Sequence, residues 1–149
     1  MIDEDEYRRT YRKVNELACP FERAILGGPC VCSLSQRLLL AEREAVACTV
    51  SEARADCQSL LERLRENARF ALKLPHLEEP LPHGKEIKVQ AGGMLGLQAV
   101  IYPERGDERR VDDIHDLVRW ARDRFEDLGN LPYREIVKYV VSYQPRKRR

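Results

Sequence analysis

The sequence predicts a mainly α-helical protein, a small irregular bundle of about six helices. Three observations support this fold class. The 149 residues fit one domain of ordinary size, 43% of them are apolar, and the apolar side chains recur at the three- and four-residue spacing of a helix face. We therefore treat 1–149 as a single domain with a cysteine-bearing N-terminal half (1–74), a proline-rich loop (75–84) and a C-terminal helical part (85–149).

Four helices are predicted in the N-terminal half, over Asp5–Ala18, Pro20–Leu26, Leu34–Ala47 and Val50–Leu74. The last two each follow a capping box, in which a serine or threonine precedes a glutamate or glutamine by three residues. The two boxes pair Ser33 with Gln36 and Thr49 with Glu52. Because the apolar stripe of the fourth helix includes Cys57, we expect that thiol to face the core.

The C-terminal part is predicted to hold three further segments. Lys85–Pro103 favours a buried helix whose glycines allow close backbone packing, with a short strand near 86–91 as the alternative. A charged turn separates it from a strongly amphipathic helix over Val111–Leu128, which Gly129 would cap. A last helix is expected to start near Pro132.

The most informative feature is the clustering of all five cysteines within 39 residues, at Cys19, Cys30, Cys32, Cys48 and Cys57. An odd count without an export signal does not indicate a disulfide framework. On the predicted helices, three of these thiols lie next to helix N-termini, where the backbone N–H groups and the helix dipole favour the thiolate. Thiolate is the form that ligates metal ions, so a metal site is predicted.

An iron–sulfur cluster, with the [4Fe–4S] form favoured, suits these thiols better than zinc does. No Cys-x2-Cys pair is present, and the three histidines, His76, His83 and His115, lie outside the cysteine segment, whereas structural zinc usually uses such pairs and often histidine. Four thiolates hold a cluster, so one of the five is spare, with Cys30 or Cys32 expected in that position. Structural zinc and unligated or redox-active thiols remain the alternatives, because a free cysteine also packs as a small apolar residue.

Charge and composition limit the other functions. The net charge is +1, but 132–149 carries six basic residues and one acidic residue and ends in Arg146, Lys147, Arg148 and Arg149. A module that binds nucleic acid or a protein through this tail is therefore the alternative function. The sequence has no apolar run of 18 residues and no recognisable signal peptide or catalytic constellation. We expect a cytoplasmic, non-enzymatic protein without membrane contact, acting with a protein partner in electron transfer or in redox or iron sensing.

Overall fold

The computed structural model describes residues 15–73 and 83–145, together with Asp5, Glu6 and Arg9. Within this part the mainly helical class is confirmed, with five helices and one two-stranded antiparallel hairpin. The helices are α1 (Glu22–Leu26), α2 (Ser51–Ala68), α3, α4 (Ile114–Phe125) and α5 (Tyr133–Ser142), and the strands are β1 (Ser35–Leu40) and β2 (Arg43–Cys48). Helix α3 is continuous from His83–Ile87 through the π-helical turn Lys88–Gly92 to Gly93–Ile101.

The predicted helix over Leu34–Ala47 is wrong, because this segment forms the β-hairpin. The strands pair from Ser35 opposite Cys48 to Leu40 opposite Arg43, and the tight turn places Ala41 and Glu42 at φ values of 50° and 70°. The expected capping box does not form, since the Ser33 N–H donates to Asp113 instead, at 2.9 Å. Long-range backbone partners thus override the local helix signal.

The helices on either side of the hairpin are shorter than the sequence predicts. Residues 15–18 are not helical, and the rest of the predicted first helix lies mainly outside the described residues. Helix α2 begins one residue after Val50 without a side-chain cap, because the Thr49 hydroxyl donates to the Leu34 carbonyl at 2.8 Å. It ends at Ala68 rather than Leu74. Residues 75–82 of the predicted proline-rich loop (75–84) also lie outside the described part, and His83 and Gly84 belong to helix α3 rather than to a loop.

The buried glycine-containing helix is confirmed, and the alternative of a strand near 86–91 is wrong. Helix α3 packs directly on the backbone of α5. A Cβ atom at Gly92 would lie 2.6 Å from Val140 Cα, and one at Gly96 would lie 2.8 Å from the Ile136 carbonyl oxygen. Real Cβ atoms essentially never approach so closely. These two glycines therefore set the distance between the two helices.

The core lies where α2, α3, α4 and α5 meet. Its largest fully buried side chains include Leu60, Leu61, Leu64, Met94, Leu97, Ile114 and Ile136. Helix α4 ends earlier than predicted, at Phe125, and the left-handed residue after it is Glu126 (φ 68°) rather than Gly129. None of the helices in the described part of the chain has the length and apolar character needed to cross a bilayer.

Candidate metal centre

Four separate cysteine-bearing segments converge beside the hairpin. Cys19 lies on a short stretch that pairs with the free edge of β2, donating its N–H to the Val46 carbonyl at 2.9 Å. Cys48, the last residue of β2, donates its N–H to the Leu17 carbonyl at 2.7 Å. Helix α2, which carries Cys57, is tied to the same stretch because the Arg54 guanidinium donates to the Ala18 carbonyl at 2.9 Å. The hairpin thus brings together thiols that lie 38 positions apart in sequence.

The loop carrying Cys30 and Cys32 is held by the C-terminal half of the chain. The Val31 N–H donates to the Val111 carbonyl at 3.0 Å, and the Ile114 N–H donates to the Val31 carbonyl at 2.9 Å. The Asp113 carboxylate accepts from Ser33 and also caps helix α4 through the His115 N–H. Residues 111–115 therefore form a scaffold on which the Cys32 loop rests. The sequence gives one signal for it, an aspartate directly before an apolar helix.

The electrostatic coupling among the thiols places Cys19, Cys32, Cys48 and Cys57 in one group. Burial raises the pKa of the Cys57 thiol, and the charges of the other three raise it further. Burial also raises the pKa of Cys19 to about 12, with added contributions from Cys32 and Cys48. The pKa of Cys32 is raised by burial and, to a smaller extent, by Asp113 and Cys48. Every pair among these four thiols is close enough for one charge to act on the other.

Backbone N–H groups beside two of these sulfur atoms favour the thiolate. The Phe21 N–H lowers the pKa of Cys19, against the larger effect of burial. The Leu34 and His115 N–H groups act in the same direction on Cys32. In both loops one donor is the residue two positions after the cysteine. Such N–H donors accommodate the negative charge of a metal-bound sulfur and tune its electronic properties.

Cys30 is placed differently from the other four cysteines. Its exposed fraction is only 3%, and burial raises its pKa to about 12, with smaller effects from Cys19 and Cys32. Neither Cys48 nor Cys57 contributes to that shift. Cys30 instead raises the pKa of Tyr143, from the last segment of the described chain, although burial has the larger effect on that phenol. Cys30 thus lies behind the group of four.

The predicted placement of the thiols at helix N-termini needs correction. Cys19 and Cys48 each precede a helix by three residues, and the adjoining N-cap positions belong to Phe21 and Val50. No helix follows Cys32, which leads into β1, although the first turn of α4 supplies its His115 N–H donor. Cys57 is half-buried at the edge of the core rather than within it.

Cys57 and His115 also line one cavity of about 300 Å³ between α2 and α4. His115, expected to lie apart from the cysteines, is therefore next to them. Over 15–73 and 83–145, no three His, Cys, Asp or Glu side chains are arranged as the ligands of a single metal ion. His76 and the basic tail Arg146–Arg149 lie outside the described residues.

Comparison with known proteins identifies no relative. No protein-family model, no curated protein and no solved structure matches the chain. The function is therefore inferred from the chemistry of these residues.

Proposed function

We propose that this protein binds a [4Fe–4S] cluster through Cys19, Cys32, Cys48 and Cys57 and acts with a protein partner in electron transfer or in redox or iron sensing. The observation that supports it is the backbone pairing that brings four separate cysteine-bearing segments together beside the hairpin. Four cysteine thiolates are the usual ligand set of such clusters. Cys30 is then the spare thiol.

Metal binding would displace protons from at least three of the proposed ligands. In the metal-free protein, burial raises the pKa values of Cys19, Cys32 and Cys57, and the charges of neighbouring thiols raise them further. A coordinated metal reverses this balance, because it deprotonates its thiol ligands outright. The N–H donors to Cys19 and Cys32 then stabilise sulfur charge that the free thiols largely lack. In the absence of a metal, thiols held neutral by burial are poor nucleophiles.

The spacing of the cysteines in the sequence favours a cluster over a single zinc ion. Zinc binds four ligands around one atom at Zn–S distances of about 2.3 Å, which normally requires closely spaced pairs of ligands in the sequence. The proposed ligands have no such pair, since the shortest spacing among them is the nine positions from Cys48 to Cys57. A cuboidal cluster distributes its irons over several ångströms and accepts ligands from separate segments.

Anaerobic purification followed by a spectrum and a metal analysis tests this function. We expect a brown protein with broad absorption near roughly 400 nm, containing iron and acid-labile sulfide in about equal amounts, as the thiolate-bound cluster requires. If the cluster is lost during purification, chemical reconstitution with ferrous iron and sulfide under argon should restore it. A colourless protein with stoichiometric zinc would support the zinc alternative, and a protein that takes up neither metal would contradict both.

A further inference from the structure

The loop that carries Cys30 and Cys32 is extended and is fixed at the residue between them. Cys30 forms a parallel β-bridge with Val111. The Val31 N–H donates to the Val111 carbonyl at 3.0 Å, and the Val31 carbonyl accepts from the Ile114 N–H at 2.9 Å. Successive side chains of an extended segment point to opposite sides, and burial follows this rule, since Val31 is 43% exposed whereas Cys30 is 3% exposed. Cys30 and Cys32 therefore lie on the same side of this segment.

The chain holds these two thiols at a separation that a disulfide can span. At a rise of about 3.3 Å per residue, Cα atoms two positions apart in an extended segment are about 6.6 Å apart. Disulfides usually join Cα atoms that are about 4.4 to 6.8 Å apart. Burial raises the pKa of Cys30, and the charges of Cys19 and Cys32 raise it further, so both of these thiols are neighbours of Cys30. Of the two, Cys32 is the one whose separation the chain itself fixes within this range.

The two thiols differ in their access to solvent. Cys32 is half-buried, whereas Cys30 is buried, so an oxidant from solution reaches Cys32 first. A thiol that is oxidised to a sulfenic acid condenses with a neighbouring thiol to a disulfide, and redox-sensitive cysteines often lie next to such a resolving cysteine. Cys30 has the position of a resolving cysteine, and it is the thiol that the proposed ligand set leaves over.

We infer that Cys30 and Cys32 form a reversible disulfide when the metal-free protein is exposed to a peroxide. Hydrogen peroxide oxidises the Cys32 thiol to a sulfenic acid and is itself reduced, releasing one water molecule. The Cys30 thiol then attacks this sulfur, the S–S bond forms, and the hydroxyl group leaves with the Cys30 proton as a second water molecule. The Cα separation is at the upper end of the usual range, so a dithiol should reduce the bond readily. The disulfide does not rest on the proposed function, but under that function Cys32 is also a cluster ligand, so the disulfide and the cluster exclude each other.

Peptide mass mapping of the full-length, metal-free protein tests this disulfide. Trypsin cleaves after lysine and arginine, so Cys30 and Cys32 share the peptide 24–37. The other three cysteines lie on three different peptides, 14–23, 44–54 and 55–63. After treatment with a small excess of hydrogen peroxide at pH 8 and blocking of the free thiols, we expect 24–37 as a single unblocked peptide that has lost two hydrogen atoms. Dithiothreitol added before blocking should restore both thiols. The same oxidation in urea is the control, because an unfolded chain should also give cross-linked pairs of peptides.

Two variants test the separate tasks of the two thiols. In Cys30→Ser the sulfenic acid at Cys32 has no resolving thiol, so dimedone, which traps sulfenic acids, should label 24–37 much more strongly than in the wild type. Val31→Ala changes the exposed residue of the same loop and keeps both thiols, so it should form the disulfide as the wild type does. Far-UV circular dichroism checks that each variant is folded, and if Cys30→Ser is not, the wild-type peptide map decides alone.

Three results would overturn the inference. The first is a 24–37 peptide that keeps both free thiols after oxidation, or that gives the same mixture of products as in urea. The second is cross-linking of 24–37 to 14–23, which would make Cys19 the partner. The third is equal dimedone labelling of Cys30→Ser and Val31→Ala. Because no iron is present in these samples, failure of the disulfide leaves the proposed cluster untouched, and failure of the cluster leaves the disulfide valid.

Discussion

At the scale of single residues, the five cysteines divide into a group of four and one thiol apart. The sequence predicts that one of Cys30 and Cys32 is spare, but it cannot choose between them because only one residue separates the two. Which of the two thiols joins the group depends on a contact between residues 80 positions apart, in which the Ser33 N–H donates to Asp113. The first turn of α4 then lies beside Cys32. The local pattern carries no information about this partner. Cys30 instead lies near enough to Tyr143 for its charge to raise the pKa of that phenol.

A substitution at Cys57 is expected to remove the bound metal, whereas a substitution at Cys30 is expected to leave it bound. Cys57→Ala should abolish cluster retention and lower the stability of the anaerobic protein, because metal binding is coupled to folding. Cys30→Ala should keep its iron and lose about 1 kcal/mol or so from a small buried cavity. Iron and sulfide analysis of the two variants, purified side by side, measures the difference. Iron retained in Cys57→Ala, or lost in Cys30→Ala, would show that the ligand set is wrong.

At the scale of elements, the sequence predicts best where burial follows one helical face. Helix α4 and the glycine-containing helix α3 are found close to their predicted positions. Both pack against other helices, and the helical spacing of their apolar residues marks the face that makes this contact. The hairpin is missed because its strands are stabilised by pairing, both with each other and with residues 17–19. Its turn also lacks glycine and asparagine, the residues that normally mark such a turn.

The turn of the hairpin therefore offers a stabilising substitution. Ala41 and Glu42 occupy left-handed backbone conformations, which cost roughly 1–2 kcal/mol per residue for L-amino acids other than glycine and, to a lesser degree, asparagine. Replacing the pair by Asn-Gly supplies the residues that a type I′ turn prefers. We expect the free energy of unfolding to rise by about 1 kcal/mol, measured by urea denaturation. As a control, Glu44→Gly at an exposed position of the neighbouring strand should lower the free energy of unfolding. A similar loss of stability in the Asn-Gly variant and in Glu44→Gly would contradict the turn assignment.

The contact between α3 and α5 is tested by two matched glycine substitutions. Gly96→Ala places a methyl group 2.8 Å from the Ile136 carbonyl oxygen, so we expect a loss of about 1–3 kcal/mol from overpacking. Gly84→Ala lies in the first turn of α3 with nothing within 4 Å of the added atom. It should be neutral or gain up to about 1 kcal/mol from helix propensity. Thermal unfolding measures both, and equal effects would mean that the glycines do not determine this packing.

At the scale of the whole molecule, the candidate metal centre joins the two halves of the chain. Its proposed ligands all belong to the N-terminal half, but the loop that carries Cys32 rests on residues 111–115. The sequence therefore predicts a metal site in the N-terminal half of the chain, whereas the backbone contacts that support the Cys32 loop arise only from the folded topology. A change in the occupancy of the site is accordingly expected to affect the stability of both halves together.

The pH dependence of the metal-free protein follows from its buried thiols. Burial raises the pKa values of Cys19 and Cys30 from 9.0 to about 12, so between these pH values the folded state binds more protons than the unfolded state. Stability should be fully present below about pH 9 and fall as the pH rises toward 12, by at most about 1.4 kcal/mol per pH unit for each such thiol. Tyr133, whose pKa is raised to about 12 mainly by burial, adds a further loss above its ordinary value of 10.0.

Urea denaturation of the metal-free wild type and of Cys19→Ala, at intervals from pH 7 to 10.5 under reducing conditions, measures this dependence. The variant lacks one titrating thiol, so its stability should decline less steeply above pH 9 than that of the wild type, while both curves remain flat from pH 7 to 8. Ser59→Ala, which removes a hydroxyl of comparable size on α2 without changing any thiol, is expected to reproduce the wild-type slope. Parallel curves for the wild type and Cys19→Ala would show that Cys19 is not held in its neutral form by the fold.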